Sequence, residues 1–212
     1  MNLVDLTIKE FSEVLASKEP VPGGGSVAAL TGLLGADLTL MVANLSFGKK
    51  SYEELDGKIK SGFNNDYEII KQIKCDLYKL IDEDKAVFLR YMDVLKLAKD
   101  TDEEKKVRRE AIEKASIFAL SIPMITAESS LEILKHQRII AEYGNKGAIS
   151  DVGVSALLIF STIESAVLNV KINLTGISDD AYKKEIIQKT EKIITESRKL
   201  KNNTLEIVNR RI

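Results

Sequence analysis

The sequence predicts an all-α protein, a bundle of long helices that pairs with a second copy of itself. Three observations carry this. Apolar residues recur at spacings of three and four along most of the chain. Only three prolines occur in 212 residues, so little interrupts a helix. No stretch shows the strict apolar–polar alternation of a half-buried strand. A chain of this length suits one domain, residues 1–212, with a core that needs no covalent staples.

The elements follow in order. Residues 6–16 bring Ile8, Phe11, Val14 and Leu15 to one face, which predicts a short helix. Pro20 and Pro22 end it, and Gly23, Gly24 and Gly25 free the backbone before Ser26. From 24 to 45 the only charged residue is Asp37, so a buried helix is expected. A polar turn at 47–54 leads into a long helix over about 52–97, loosened near its start by Gly57 and Gly62. Thr101 followed by Glu104 is a capping-box pair opening a helix over about 103–142, which Pro123 should kink. After a loop at 143–150, a second nearly uncharged helix covers about 151–174. Ser178 should cap the last helix, which runs to about residue 209. The uncharged run at 152–163 is too short to cross a bilayer, and Glu164 and Lys171 follow it, so burial within protein is expected rather than a membrane.

Charge and cysteine content narrow the function. Lys and Arg number 31 against 32 Asp and Glu, which gives no concentrated basic surface for nucleic acid. A single cysteine, Cys75, excludes an internal disulfide and fits a cytoplasmic location. The first 15 residues lack an apolar run ahead of a cleavage site, so no signal peptide is expected. One histidine, His136, and one cysteine cannot assemble a metal cluster or a Ser-His-Asp triad. Acid–base chemistry must therefore come from carboxylates, lysines or tyrosines. Lys49, Lys50, Tyr52, Asp84 and Asp151 lie near breaks or apolar surroundings and are the candidates.

Three patterns stand out. The glycine loop at 22–26 precedes a helix, where free N–H groups can hold an anion or a carbonyl oxygen, although a plain turn with a cap explains it as well. It lacks the Gly-Lys-Ser/Thr ending of a nucleoside-triphosphate loop, and no strand precedes it as in a dinucleotide site. Ala28, Gly32, Gly35, Ala36, Thr39 and Ala43 form a stripe of small residues suited to close helix packing. Asp151, Ser155, Thr162, Ser165, Asn169 and Asn173 draw a short, amide-rich polar line down an apolar helix, which points to a cavity ahead of interhelical hydrogen bonds.

The motifs together resemble a known family. Pro20-Val21-Pro22-Gly23-Gly24-Gly25-Ser26-Val27-Ala28-Ala29-Leu30, then Met41-Val42-Ala43-Asn44-Leu45 and Gly48-Lys49-Lys50-Ser51-Tyr52, are similar to the opening of the formiminotransferase-cyclodeaminase C-terminal domain family. Ile81-Asp82-Glu83-Asp84 with Phe88 resembles its middle motif. Gly144-Asn145, Ser150-Asp151-Val152 and Asn169-Val170-Lys171-Ile172-Asn173-Leu174 resemble its later ones. Ser46-Phe47 stands where a threonine is usual after the leucine, which puts no function in doubt.

The resemblance implies an all-α homodimer that acts on tetrahydrofolate derivatives without a metal or redox cofactor. It implies one of two activities. A cyclohydrolase opens 5,10-methenyltetrahydrofolate with water to 10-formyltetrahydrofolate; a cyclodeaminase closes the same ring from formimidoyltetrahydrofolate and releases ammonia. Because the formiminotransferase half does not occur in this sequence, the cyclohydrolase is favoured. A helical scaffold without catalysis would suit the amphipathic helices but has no use for the glycine loop or the polar line. The motif matches imply one site, with Asp84, Asp151, Lys49 and Tyr52 as catalytic residues. Gly23, Gly24, Gly25, Ser26, Lys50, Asn145, Asn169 and Asn173 would bind substrate. Side chains of adjacent helical residues diverge by about 100°, so only one of Lys49 and Lys50 is expected to face the ligand.

Overall fold

A computed structural model describes residues 2–212. It contains helices and no strand among the described residues. The helices are α1 (Ile8–Leu15), α2 (Gly24–Asn44), α3 (Lys50–Glu53), α4 (Gly57–Leu95), α5 (Asp102–Tyr143), α6 (Ile149–Leu174) and α7 (Asp180–Arg211), with 3₁₀ turns at Leu3–Asp5 and Lys146–Ala148. The five long helices pack around one apolar cluster that includes Leu33, Phe63, Ile70, Leu77, Ile133 and Ile159. Helix α2 lies against α6 and α4, α5 lies against α4 and α6, and α7 covers α5 and α6.

The boundaries follow local chemistry. Thr7 with Glu10 and Thr101 with Glu104 form capping boxes at the starts of α1 and α5. The helix expected over 52–97 is two helices. Asp56 accepts the Lys58 N–H at 2.8 Å and starts α4 afresh at Gly57, leaving α3 as a single turn. Asp179, not Ser178, caps α7, because its carboxylate accepts the Ala181 and Tyr182 N–H groups. Ser178 instead bonds to Glu113 of α5 through its hydroxyl at 2.6 Å and its N–H at 3.0 Å. Arg211, at the end of α7, donates to the Ala141 and Gly144 carbonyls at 2.5 and 2.7 Å and closes the C-terminus of α5.

The small-residue stripe is the contact between α2 and α6. A methyl group added at Gly32 would sit 3.1 Å from Thr162 Cγ2, and one at Gly35 would sit 2.7 Å from Ile159 Cδ1. Beside this contact Ser155 donates to the Gly35 carbonyl at 2.5 Å and lies 2.8 Å from the Thr39 hydroxyl. Gln137 Nε2 reaches both hydroxyls at 2.7 Å. The upper part of the polar line thus serves interhelical hydrogen bonding, not a cavity. All three side chains are fully buried.

By length and composition α2, α5 and α6 are each sufficient to span a bilayer, so the length argument made for residues 152–163 does not hold for the whole helix. What remains is burial: 61%, 61% and 50% of the residues in the three apolar windows are enclosed within the bundle.

Pro123 does not end α5, which runs unbroken from Asp102 to Tyr143. A proline has no N–H, so the carbonyl four residues earlier, that of Ala119, loses its helical partner. Asn173 Nδ2 donates to that carbonyl at 3.2 Å. Asn173 and Pro123 should therefore be coupled. Asn173→Ala is expected to cost about 1–2 kcal/mol by leaving a buried acceptor unpaired. In the Pro123→Ala background, where a backbone N–H returns to Ala119, the same change should cost clearly less. Urea unfolding of the four proteins in a double-mutant cycle measures this, and purely additive costs would contradict it.

Candidate active site

The site forms where the first turn of α2 meets α4 and the C-terminal end of α6. The glycines expected in a loop are the first turn itself: Gly23 is the N-cap, and the helix begins at Gly24. Gly23 has no side chain to satisfy the free N–H groups of that turn. Asp84, from α4, does so from across the bundle. It accepts the Ser26 hydroxyl at 2.9 Å and also the Ser26 backbone N–H. A methyl group at Gly25 would overlap the Asp84 carboxylate, so glycine is required there for the carboxylate to approach. A methyl at Gly24 would touch the Asn169 amide at 3.4 Å, which puts α6 on the other side of the same turn.

These groups border a cleft of about 330 Å³. Gly23, Gly24, Gly25, Asp84, Asn169 and Asn173, all singled out from the sequence, line it. Ser26 is close by, but its hydroxyl is taken by Asp84, so it positions the carboxylate and is not itself a ligand contact. The sequence reading did not assign Val87 and Tyr91 to the site and used Phe88 only as part of a motif. All three line the cleft. Their spacing from Asp84 (three, four and seven residues) places them on its helix face, and that signal could have found them. Ile172 joins Asn169 and Asn173 for the same reason. Asn169 Nδ2 is held by the Ser165 carbonyl at 2.9 Å.

Two effects act on Asp84 in opposite directions. Burial disfavours its charged form, and the two hydrogen bonds from Ser26 favour it. Burial is the larger, so the carboxyl titrates above its ordinary range. A carboxyl of this kind, open to a cleft and holding its proton above the ordinary carboxylate range, is suited to take up and return a proton.

The remaining candidates are elsewhere. Helix α2 is roughly 30 Å long, and Lys49, Lys50, Tyr52, Asn145 and Asp151 lie at or beyond its far end, so one chain does not bring them to Asp84. Tyr52 is buried against Phe47 and Phe63, and its hydroxyl donates to Asn64 Oδ1 at 3.1 Å. Asn145 is a structural clip: its N–H donates to Ser46 Oγ at 2.7 Å, its Nδ2 to the Leu45 carbonyl at 3.3 Å, and its Oδ1 accepts the Gly147 N–H at 3.0 Å. Lys50 is exposed and pairs with Glu54 at 3.6 Å. Lys49 caps α3 in the open. Asp151 is half-buried in the first turn of α6, where a negative charge suits the helix dipole. His136 is paired with Asp66 at 2.9 Å on the outside of the bundle, and no group of three or more metal-ligating side chains converges among the described residues.

Asp84 also sets a pH dependence of stability. Its folded pKa lies above the unfolded one, so its contribution is most favourable below the ordinary carboxylate range and is lost as pH rises through the raised value. Asp84→Asn removes this loss. Its stability relative to wild type should rise as pH climbs through the ordinary carboxylate range and level off above the raised pKa, as read by urea unfolding across a pH series. A difference that does not change with pH would contradict the raised pKa.

Known proteins resemble this chain in sequence and in fold. The chain is 35% identical over 206 residues to a methenyltetrahydrofolate cyclohydrolase from Methylorubrum extorquens, covering 97% of both proteins. It is 31% identical over 196 residues to the formimidoyltransferase-cyclodeaminase of Gallus gallus, which is 92% of this chain and 36% of that protein. Its fold superposes on the crystal structure of a formiminotetrahydrofolate cyclodeaminase from Thermotoga maritima with a TM-score of 0.83 at 25% identity, over 97% of this chain and 96% of that one. A family model described as formiminotransferase-cyclodeaminase matches residues 7–192. The chain therefore belongs to the formiminotransferase-cyclodeaminase family.

Proposed function

We propose that this protein is a methenyltetrahydrofolate cyclohydrolase, acting as a homodimer and needing no metal or redox cofactor. The observation that carries the reading is the 35% identity, over 97% of both chains, to a protein of that name. The cleft supplies the chemistry. In the substrate one carbon bridges N5 and N10 as an amidinium cation, and Asp84 offers the cation a partly dehydrated carboxylate. A nearby positive charge favours the ionised carboxyl, so the substrate itself draws Asp84 into its basic form.

Asp84 then removes a proton from water as the oxygen attacks the bridging carbon, giving a tetrahedral carbon bonded to both nitrogens and a hydroxyl. The carbon–N5 bond breaks as N5 receives a proton and the hydroxyl loses its own. The carbon stays on N10 as a formyl group, and one proton is released overall. The Asn169 amide and the Phe88 and Tyr91 rings line the same cleft and offer a flat bicyclic ring an amide and two aromatic faces. The same proton transfers would serve ring closure with loss of ammonia, the activity named in the avian relative and in the Thermotoga structure.

The test pairs loss of methenyltetrahydrofolate absorbance with ammonia release from formimidoyltetrahydrofolate. Turnover is expected in the first assay and little in the second; the reverse would make the protein a cyclodeaminase. Asp84→Asn should lower kcat by roughly 10²–10⁴-fold at neutral pH. The acid limb of wild-type kcat/KM should lie above the ordinary carboxylate range. Wild-type turnover in Asp84→Asn would remove Asp84 from the chemistry.

A further inference from the structure

We infer that Pro123, buried in α5 behind the cleft, is a positioning residue of the site: it frees the Ala119 carbonyl to anchor the Asn173 amide, whose oxygen then receives the 2-amino group of the pterin ring. The inference rests on the folate reading above and names the residue that reads the pyrimidine end of that substrate.

The orientation of the amide follows from its partner. A carbonyl only accepts hydrogen bonds, so the end of the Asn173 amide that meets Ala119 at 3.2 Å is the nitrogen. The oxygen is thereby turned away from that carbonyl. It takes no hydrogen bond among the described residues and is open to solvent, on a residue that lines the cleft. Asn169 is set in the same way. The Ser165 carbonyl holds its nitrogen at 2.9 Å, and its oxygen is unbonded among the described residues. Thr175, the other polar residue of this wall, gives its hydroxyl proton to the Ile172 carbonyl. The α6 side of the cleft therefore offers two acceptors and no free side-chain donor.

A ligand must meet that wall with N–H groups. The methenyl bridge cannot, because N5 and N10 of the amidinium carry no hydrogen. The donors of a reduced pterin are its 2-amino group, N3–H and N8–H. Position selects among them. Asp84 meets α2 at Gly25 and Asn169 meets it at Gly24, so these two side chains are neighbours. Asn173 lies one turn, roughly 6 Å, further along α6. N5 and the 2-amino nitrogen stand at opposite ends of the pyrimidine ring. With Asp84 at the bridge, the amino end reaches Asn173.

Pro123 enters through the anchor. In an uninterrupted helix the N–H of residue 123 takes the Ala119 carbonyl, and a proline has none to give. Pro123 does not line the cleft, so its effect on the ligand passes through Asn173. Pro123→Ala returns a competing N–H to the carbonyl and loosens the amide. A rotated amide presents N–H to the amino group, donor against donor.

The test has a structural and a kinetic arm. In ¹⁵N-labelled protein, the side-chain NH₂ signal that Asn173→Leu removes identifies Asn173. Its exchange with solvent should be about tenfold slower in the wild type than in Pro123→Ala, because a bonded N–H is held back. Equal exchange would overturn the inference, and this arm needs no ligand. The kinetic arm uses methenyltetrahydrofolate and its 2-desamino analogue. The wild type should prefer the parent by about tenfold or more in kcat/KM, and Asn173→Leu should abolish most of that preference. Pro123→Ala should raise KM for the parent several-fold at nearly unchanged kcat, and adding Asn173→Leu to it should cost less than Asn173→Leu alone. Helical circular dichroism should be the same in all four proteins. If the two residues served only the fold, parent and analogue would lose activity alike and the preference would persist, which would overturn the inference. A wild type active on the parent without preference would overturn the inference alone. A wild type that acts on neither folate would overturn the folate reading and the ligand named here with it.

Discussion

The arrangement depends on the close approach of α2 to α6 at Gly32 and Gly35. Each glycine inside a helix costs on the order of 1 kcal/mol relative to alanine. The cost is offset where the missing methyl lets Ile159 and Thr162 pack directly on the α2 backbone and lets Ser155 reach the Gly35 carbonyl. This contact fixes the sliding position of the two helices. It puts the first turn of α2 beside Asn169, and the position of that turn decides where Asp84 can be capped. A shift of α2 by one helical turn would take Ser26 away from the Asp84 carboxylate and Gly24 away from the Asn169 amide.

Asp84 then has a structural and a chemical role that come from the same contact. It satisfies an N-terminus that Gly23 cannot cap, and it does so from a site dry enough to disfavour its charge. The Ser26 bonds hold the carboxylate in place without cancelling the effect of burial. A cationic ligand reverses the balance by favouring the ionised form. Binding and proton release are thereby linked through one side chain, and the neighbouring Asn173 amide is tied to repairing the gap that Pro123 leaves in α5.

Much of this was legible in the residues. The two uncharged segments announced the central helices, and the capping boxes announced the starts of α1 and α5. The glycine turn, Asp84, Asn169 and Asn173, grouped from the sequence, border one cleft. What was not legible came from three dimensions. The order of motifs along the chain hides the length of α2, so residues after its end were joined to residues before its start. The polar line on α6 divides between a packing network at Ser155 and the cleft at Asn169, because Thr39 of α2 and Gln137 of α5 close over the first end, whereas α2 only begins beside the second. That an amide 50 residues after Pro123 would fill the carbonyl it leaves vacant was not legible in the sequence. Asp179 caps α7 in place of Ser178, and Asp56 starts a new helix where one continuous helix was expected.

The account centres on a buried carboxyl whose proton affinity is raised by the fold and lowered by its ligand. The most direct measurement is the titration of the Asp84 carboxyl carbon by ¹³C nuclear magnetic resonance, in the free protein and with a non-hydrolysable cationic folate analogue bound. The account predicts a pKa above the ordinary carboxylate range in the free protein and a lower one in the complex. An ordinary pKa in the free protein, or one that the cation leaves unchanged, would contradict it.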